Sequence, residues 1–478
     1  MWHNKVIWYM VTRYVTYFVQ FIVSILIAAK LGPFQLGIWG FVLLLINYFN
    51  IFNFGIPNST TVLIVQHKKE QETAGQIEVS SMMLMSVIGL IILAIGCYYA
   101  MFGIPLFEKY QIGSLFYLVC AIAIMQHFVS LFSLIARVRG SITEVAFAQT
   151  AIPMMTLVAV LLFCDRTLLL SLVFCYLIGN ALAIFLFIQK KLVRFHGHPT
   201  RKACRTIIHK GKYLFAYNVC FYLIFLSTKT VVSSYYSVEE FGFFTFAYTL
   251  ANAVLLMMQA FTAIVFPKLI DKFGSENKDE VSKVLHEVRD SYVTMAHAVM
   301  YTAFLFFPIL ISFMPKYQDA LPVIIYMGLT LLLYANSFGY STLLIAQNAE
   351  KRLAVISFVS LAMNVIIALL LAIVVHCDYR YVIFATMFAY VCFTVFCVVT
   401  GKTIIHERKT ILDIVEDSFP VRLLLPYLIM IASVVMQGNI FFLVAAILIF
   451  GFSNKKQIKE IVSLLKRLLY NPNMVDVK

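Results

Sequence analysis

The chain has 478 residues, of which 62% are hydrophobic and only 13% are charged, and its mean hydropathy is +0.89. Soluble proteins carry about 25% charged residues, so this composition excludes a soluble globular protein and predicts an all-α protein that crosses a membrane many times. The net charge of +14 is explained by basic cytoplasmic loops. Nucleic acid is therefore not an expected partner.

Apolar runs of roughly 20 residues, the length that a helix needs to cross the hydrocarbon core, recur along nearly the whole chain. Fourteen such spans fit the hydropathy pattern. They lie near residues 7–30, 37–58, 80–103, 113–136, 146–164, 168–189, 213–236, 241–267, 291–314, 320–346, 353–376, 380–401, 420–436 and 438–452.

The Lys and Arg residues predict the orientation of these spans. With the N-terminus inside, 30 of the 37 basic residues fall on the inner side, five fall outside, and Arg13 and Lys229 lie within spans. Because cytoplasmic loops carry an excess of Lys and Arg, this distribution predicts that both termini are cytoplasmic.

The longest basic loop, near residues 190–212, divides the first twelve spans into two sets of six. A shift of 205 residues pairs Gly37 with Gly242 and Asn47 with Asn252, and it also aligns the edges of the spans. The pattern predicts two lobes in parallel pseudo-repeat around a shared cavity. The predicted domains are residues 1–200 (spans 1–6), 201–403 (spans 7–12) and 404–478 (spans 13 and 14 with a basic amphipathic cytoplasmic tail).

The first hairpin contains polar residues that are unusual for helices in lipid. Arg13 lies among apolar residues, and Asn47, Asn50 and Asn58 fall on one face of the second predicted helix at 3.6 residues per turn. Such residues are costly in hydrocarbon unless they face protein or a water-filled cavity. The hairpin is therefore interpreted as one wall of a polar passage.

Arg13 and Lys229 are the candidate binding residues, since two cations in a cavity would attract a phosphate or carboxylate group. The alternative is that each side chain snorkels to a membrane interface. Asn47, Asn50 and Asn252 are candidate cavity-lining residues, and hydrogen bonding between helices is the alternative role for Asn47 and Asn252.

No pattern for covalent catalysis, a cofactor or a metal stands out in the sequence. There is no P-loop, and no His/Cys/Asp cluster has metal-ligand spacing. His127 and His297 lie in spans and are interpreted as buried, hydrogen-bonded residues, with a proton relay as the alternative. Catalytic residues, metals and cofactors are therefore not expected.

Two short segments of the first hairpin stand out, residues 28–40 (AAKLGPFQLGIWG) and 54–58 (FGIPN). They resemble the opening hairpin of bacterial polysaccharide transporters, the O-antigen-type flippases of the multidrug/oligosaccharidyl-lipid/polysaccharide (MOP) exporter superfamily. Residues 238–242, 315–320 and 347–351, together with Asn364, extend the similarity to about residue 400. The position that often holds an Asp-Arg pair in this family reads Thr228-Lys229 here, so the cation is kept and the acid is lost.

The resemblance implies a flippase in the bacterial inner membrane that moves undecaprenyl-pyrophosphate-linked oligosaccharides from the inner to the outer leaflet. Expected partners are this substrate, membrane lipids, a polysaccharide polymerase and glycosyltransferases. The alternatives are a drug/cation antiporter of the multidrug and toxin extrusion type, a membrane glycosyltransferase or polymerase, and a scaffold of polysaccharide assembly. The antiporter would be expected to have carboxylates in the first lobe, and the enzyme a large outside loop with catalytic residues.

Overall fold

The computed structural model describes residues 5–67, 70–193, 195, 197–210, 212–436 and 440–470. Every regular element in these ranges is a helix, which confirms the all-α prediction. Short 3₁₀ or π-helical turns cover Pro315–Ala320, Leu370–Val374 and Tyr379–Tyr381. The α-helices are α1 (Lys5–Ile51), α2 (Ile56–Gln66), α3 (Gln71–Phe102), α4 (Pro105–Lys109), α5 (Leu115–Val138), α6 (Ile142–Leu162), α7 (Asp165–Gln189), α8 (Arg201–Lys210), α9 (Lys212–Tyr235), α10 (Val238–Phe273), α11 (Lys278–Ser312), α12 (Leu321–Asn336), α13 (Tyr340–Ala346), α14 (Glu350–Leu369), α15 (Ile383–Ile404), α16 (Ile411–Ser418), α17 (Val421–Val435), α18 (Ile440–Ser453) and α19 (Lys455–Tyr470).

The helices form two compact units. Unit 1 comprises Met1–Val219 and Tyr236–Thr245, and unit 2 comprises Cys220–Tyr235 and Phe246–Lys478. Helix α9 thus lies mostly in unit 2, whereas the first two turns of α10 pack in unit 1. The predicted boundaries at residues 200 and 403 stay a prediction.

Many of the helices are long and apolar enough to cross a membrane. Within the described ranges, ten helices meet this condition, and the bent pairs α16–α17 and α18–α19 bring the number to twelve if each is one span. Helix α1 is counted once although it contains the first predicted span and most of the second. The molecule is therefore a multi-pass membrane protein, and the number fourteen stays a prediction.

The first hairpin contains two breaks. Gly32 has φ 69° and ψ 172°, which interrupts α1 directly before Pro33. The second break lies between Ile51 and α2, where Phe54 (φ 47°) and Gly55 (φ 70°) adopt left-handed conformations. A positive φ is inexpensive for glycine because it has no Cβ.

The second break corrects one sequence prediction. The expected helix over residues 37–58 ends at Ile51, and Asn58 lies on the separate helix α2. Asn47 and Asn50 remain on α1, so the three asparagines do not share one continuous helix face. The positive φ angles on both sides of the Phe54–Gly55 bond break the helical repeat on which the prediction depended.

The predicted repeat is visible in the order of the helices. The 205-residue shift moves Gly32 onto Ser237, where the chain breaks between α9 and α10. The same shift carries α3 onto α11 and α5 onto α12. The break between α1 and α2 has no counterpart, because α10 continues as a helix to Phe273.

Within unit 1, two glycines allow α1 and the start of α10 to touch backbone to backbone. A Cβ on Gly37 would lie 2.0 Å from the carbonyl oxygen of Val238, and a Cβ on Gly242 would lie 1.9 Å from that of Pro33. No side chain fits at such distances. We call this contact the glycine seam, and it explains why glycine stands at both repeat-related positions.

Polar contacts stabilise the start of α10, one within the helix and one from α4. Ser237 and Glu240 form a reciprocal cap, in which the Ser237 N–H donates to Glu240 Oε2 (2.8 Å) and the Glu240 N–H donates to Ser237 Oγ (3.2 Å). Lys109, at the end of α4, donates to the carbonyl oxygen of Tyr236. Burial lowers the pKa of Lys109, and the nearby Glu240 carboxylate partly opposes this change.

A buried ion pair lies at the other end of unit 1. Arg139 donates to the carboxylate of Glu78, which is fully buried in α3, and to the carbonyl oxygen of Leu192 in the following loop. Removing Arg139 would leave the Glu78 carboxylate as an uncompensated buried charge. The pair therefore ties α3, the end of α5 and the loop after α7 together.

The predicted amphipathic tail is helix α19, which turns by 74° from α18. Its sequence alternates lysines with a row of apolar residues. Such a helix suits the surface of an anionic leaflet. Its contact with the inner leaflet stays a prediction.

Candidate functional site

Lys229 lies in the middle of α9 and is 3% exposed. Its Nζ is 4.9 Å from the centroid of the Tyr248 ring on α10. Phe225 stacks on the Tyr248 ring, with a distance of 4.4 Å between the ring centroids and an interplanar angle of 23°. A cation over an aromatic face gains a stabilising electrostatic contact. The ammonium group is therefore packed inside unit 2.

A hydroxyl and amide cluster adjoins Lys229 in the sequence. The Thr228 hydroxyl lies 2.7 Å from that of Thr386 on α15, and Asn364 on α14 donates through Nδ2 to the carbonyl oxygen of Ile224 (2.7 Å) and to Ser227 Oγ (2.9 Å). Buried polar groups in a membrane protein need such internal partners. The cluster fixes the rotation of α9, and with it the direction in which Lys229 projects.

Asn252 is the second predicted site residue in unit 2. It is half-buried on α10 and follows Tyr248 by four residues. Residues four apart lie on one face of a helix, one turn above another. Asn252 therefore shares a helix face with the ring that contacts Lys229.

The other predicted site residues lie in unit 1. Asn47 and Asn50 are half-buried on α1. Asn50 donates through Nδ2 to Gln126 Oε1 on α5 at 2.8 Å, so it makes a hydrogen bond between helices. Arg13 is placed on α1, but its side chain lies outside the described residues.

The sequence pattern did not mark Tyr248 or Thr386 as members of this site, and it did not indicate that Asn364 belongs to the cluster next to Lys229. Tyr248 is one of many aromatic residues, and only its spacing to Asn252 could have marked it. An isolated asparagine in the apolar span of α14 was the available signal for Asn364. The pairing of α9 with α14 and α15 that joins them is a tertiary contact.

A second polar cluster lies at one end of unit 2. His286 on α11 places Nε2 3.2 Å from Glu407 Oε1 and Nδ1 3.6 Å from Asp417 Oδ1. Lys402 Nζ contacts both carboxylates, and Tyr340 donates to Asp417 Oδ2 at 2.8 Å. We call these five residues the α11–α16 ion network. It connects α11, α13, α15 and α16.

Three members of this network could also hold a metal ion. The ligand atoms of His286, Glu407 and Asp417 lie within 4.8 Å of one another. The residues are too far apart in the sequence for ligand spacing to reveal them. Because the Lys402 ammonium contacts both carboxylates and His286 pairs with both, we interpret the cluster as an ion-pair network.

Residues 3–273 match the polysaccharide biosynthesis protein family. This match covers more than half of the chain. The protein belongs to the polysaccharide biosynthesis protein family. No curated protein sequence matches the chain.

Solved structures show which fold this family member has. The lipid II flippase MurJ in an inward closed conformation is similar with a TM-score of 0.68 and 16% identity, covering 97% of this chain and 100% of MurJ. The inward-facing conformation of a multidrug resistance MATE family transporter of the MOP superfamily has a TM-score of 0.66 and 13% identity, covering 83% of this chain and 98% of the transporter. This family member therefore has the fold of MOP superfamily transporters, as the sequence resemblance implied.

The α11–α16 ion network gives a pH prediction for this family member. Hydrogen bonds from His286, Ser282 and Lys402 lower the pKa of Glu407 from 4.5 to about 2. A depressed carboxyl pKa stabilises the folded state above the unfolded pKa, and this contribution is lost as the pH falls from about 4.5 through about 2. Glu407→Gln should therefore lower the thermal unfolding temperature of the detergent-solubilised protein at pH 6, and the difference from wild type should shrink toward pH 2.

Glu276→Gln, at an exposed carboxylate, is the matched control and should follow the wild-type curve. If the unfolding temperatures of Glu407→Gln and wild type differ by the same amount from pH 6 to pH 2, the ion network is not the cause of the difference.

Proposed function

We propose that this protein is a flippase that moves a polyprenyl-pyrophosphate-linked oligosaccharide from the cytoplasmic to the outer leaflet of the bacterial plasma membrane. It would act as a transporter, without a catalytic residue or cofactor, in the biosynthesis of a cell-surface polysaccharide. The observation that carries the proposal is the Lys229 ammonium, buried on the Tyr248 ring inside a membrane-spanning unit of a polysaccharide biosynthesis family member.

The chemistry of the substrate fits this site. A pyrophosphate carries negative charge that a membrane interior opposes, and a buried cation offsets that cost. Sugars present hydroxyl groups and apolar ring faces, which amides and aromatic rings recognise. Asn252 and Tyr248 share one face of α10 and supply both kinds of group, and Tyr248 contacts Lys229.

The fold supports transport as the reaction class. The similar solved proteins are a lipid II flippase and a multidrug resistance transporter. In this fold we propose that two lobes alternate access to the substrate by rocking about a central site. A polymerase and glycosyltransferases of polysaccharide assembly are the proposed partners.

A drug/cation antiporter is the second candidate, because MATE family transporters share the fold. Cation exchange through unit 1 would need a carboxylate that can release a proton or bind a cation. Glu78, which is fully buried in α3, is instead paired with Arg139. This pairing favours the anionic lipid as substrate over a cationic drug.

The cations give the first test of this function. Lys229→Ala and Arg13→Ala should each abolish translocation of a lipid-linked oligosaccharide into reconstituted vesicles, because the pyrophosphate loses its counter-charge. Lys229→Arg should retain part of the activity, since the charge remains but binds phosphate with a different geometry. The measurement is the fraction of a fluorescent lipid-linked oligosaccharide that becomes accessible on the far leaflet.

Lys212→Ala, at an exposed lysine at the start of the same α9 helix, is the matched control and should transport normally. If both Ala variants transport at the wild-type rate, neither cation binds the substrate during transport. Uptake of a cationic drug that survives in the Ala variants would support the antiporter instead.

The orientation gives a second test. We propose that both termini and the 190–212 loop face the cytoplasm, as the distribution of basic residues predicts. In a cysteine-free background, His198→Cys should resist an impermeant thiol reagent in intact cells, and Glu239→Cys should react. Both positions are exposed, so accessibility within the protein does not bias the comparison. The opposite labelling would show that the proposed orientation is wrong, and with it the proposed direction of transport.

The glycine seam gives a third test, of the mechanism. We propose that this contact forms the closed outer end of the passage and separates when the passage opens outward. Spin labels at Phe34→Cys and Glu239→Cys, both exposed, should show a distance distribution that changes when lipid-linked oligosaccharide is added.

Gly242→Leu places side-chain atoms where the Pro33 carbonyl oxygen lies, so it should hold the labels apart before substrate is added. Gly451→Leu, where a Cβ meets no atom within 4 Å, is the matched control and should match the wild type. A substrate-insensitive distribution in a transport-competent preparation would exclude opening at this seam.

A further inference from the structure

The short helix α16 exposes an apolar edge. Its side chains Ile411, Leu412 and Val415 are 81%, 80% and 43% exposed. Val415 lies four residues after Ile411 and three after Leu412, so the three side chains project from one face of the helix. Thr410 and Asp413 cap the start of α16 reciprocally, so the edge belongs to a well-formed helix. We call these three apolar residues the α16 edge.

The opposite face of α16 is fixed to unit 2 by the ion network. Asp417 contacts the Lys402 ammonium on α15 at 2.5 Å and accepts a hydrogen bond from the Tyr340 hydroxyl on α13 at 2.8 Å. Asp417 lies two residues after Val415, which places it about 200° around the helix from that side chain. The ion network therefore turns the α16 edge away from α13 and α15.

The position of α16 in the chain places it at the membrane surface. The preceding candidate span ends at Ile404, and α17 follows α16 after a bend of 62°. Asp413, Glu416 and Asp417 are carboxylates among the eight residues of α16. Such charges are costly in hydrocarbon, so α16 does not extend α17 into the membrane core. It lies instead in the headgroup region, where α15 ends and α17 begins.

The apolar surface continues from the α16 edge into α17. Val421, Leu425 and Leu428 follow at four- and three-residue spacing and are 63%, 51% and 52% exposed. On a helix that enters the membrane, such an exposed apolar row faces lipid. An interfacial helix buries its apolar face at the boundary between headgroups and acyl chains. Lipid at this boundary therefore covers the α16 edge as it covers the row on α17.

Two exposed cations stand directly before α16. Arg408 and Lys409 follow Glu407, which pairs with His286 and Lys402 and so holds this segment to unit 2. Basic residues at a membrane surface attract anionic headgroups. An apolar edge flanked by cations matches the leaflet surface in both respects, with the apolar side chains toward the acyl chains and the cations at the phosphates.

We infer that α16 is a membrane-surface anchor. The α16 edge enters the boundary between headgroups and acyl chains, and Arg408 and Lys409 bind the phosphate groups of anionic phospholipids there. The ion network connects this anchor to α11, α13 and α15. The anchor is separate from the proposed oligosaccharide site and does not depend on transport.

The first measurement is the depth of the α16 edge. The full chain, with Leu412→Cys in a cysteine-free background, carries a fluorophore on this cysteine and is reconstituted in nanodiscs. The nanodiscs contain a phosphatidylcholine with a nitroxide near the headgroup end of one acyl chain. The nitroxide should quench this fluorophore severalfold more than one on Glu276→Cys, an exposed control between α10 and α11. Equal quenching at both positions would mean that the edge faces water or a protein, and it would overturn the inference.

The second measurement is the lipid class. Phosphatidylglycerol and phosphatidylcholine that carry the same nitroxide are compared at equal mole fraction in otherwise identical phosphatidylcholine nanodiscs. Phosphatidylglycerol should be enriched around the Leu412→Cys fluorophore by roughly fivefold, the ratio that one basic residue supplies for an anionic surface. The enrichment should fall at high salt because the charges are screened. Equal quenching by both lipids at low salt would overturn the assignment of anionic headgroups.

Variants assign the lipid preference to the two cations. Arg408→Gln combined with Lys409→Gln should make the two lipids quench equally, while the edge stays as deep as in the parent protein. Lys351→Gln combined with Arg352→Gln, at an exposed pair at the start of α14, is the matched control and should keep the preference. All four side chains are exposed, so neither change removes a buried contact. An unchanged preference in the first double variant would overturn the role of Arg408 and Lys409.

Discussion

Hydrocarbon offers no hydrogen-bond partner, so every polar group within a span must find one inside the protein. This constraint shapes both units. The Lys229 ammonium packs on Tyr248, Asn50 donates to Gln126, and the Glu78 carboxylate is paired with Arg139. Each contact joins two helices, so the residues that would be costly in lipid also specify which helices pack together.

The same constraint explains why the candidate site has a supporting cluster. The Thr228 hydroxyl meets Thr386 and Asn364 across three helices. A neutral cluster of hydroxyls and an amide is satisfied by hydrogen bonds alone, without a charge that a nearby cation would have to balance. The neighbouring Lys229 ammonium lies against the Tyr248 ring and is not part of this cluster.

Close backbone contact is the second determinant of the architecture. The glycine seam depends on Gly37 and Gly242, where even a methyl group would overlap a carbonyl oxygen. Lys109 on α4 also donates to the carbonyl oxygen of Tyr236, directly before the same segment. A contact that combines small residues with a few polar bonds can separate and re-form, which a continuous apolar core could not do without exposing its surface.

The sequence by itself determined the all-α membrane fold, the order of the helices and the breaks at Gly32 and near Ser237, because apolar length, glycine and capping residues act locally. It also marked Lys229, whose charge is costly in lipid wherever the chain places it. The tertiary structure alone decided that Tyr248 receives Lys229, and that residues as distant as 286, 402 and 417 form one ion network. These contacts join segments far apart in the chain, and their partners depend on how whole helices pack, which no local pattern of residues encodes.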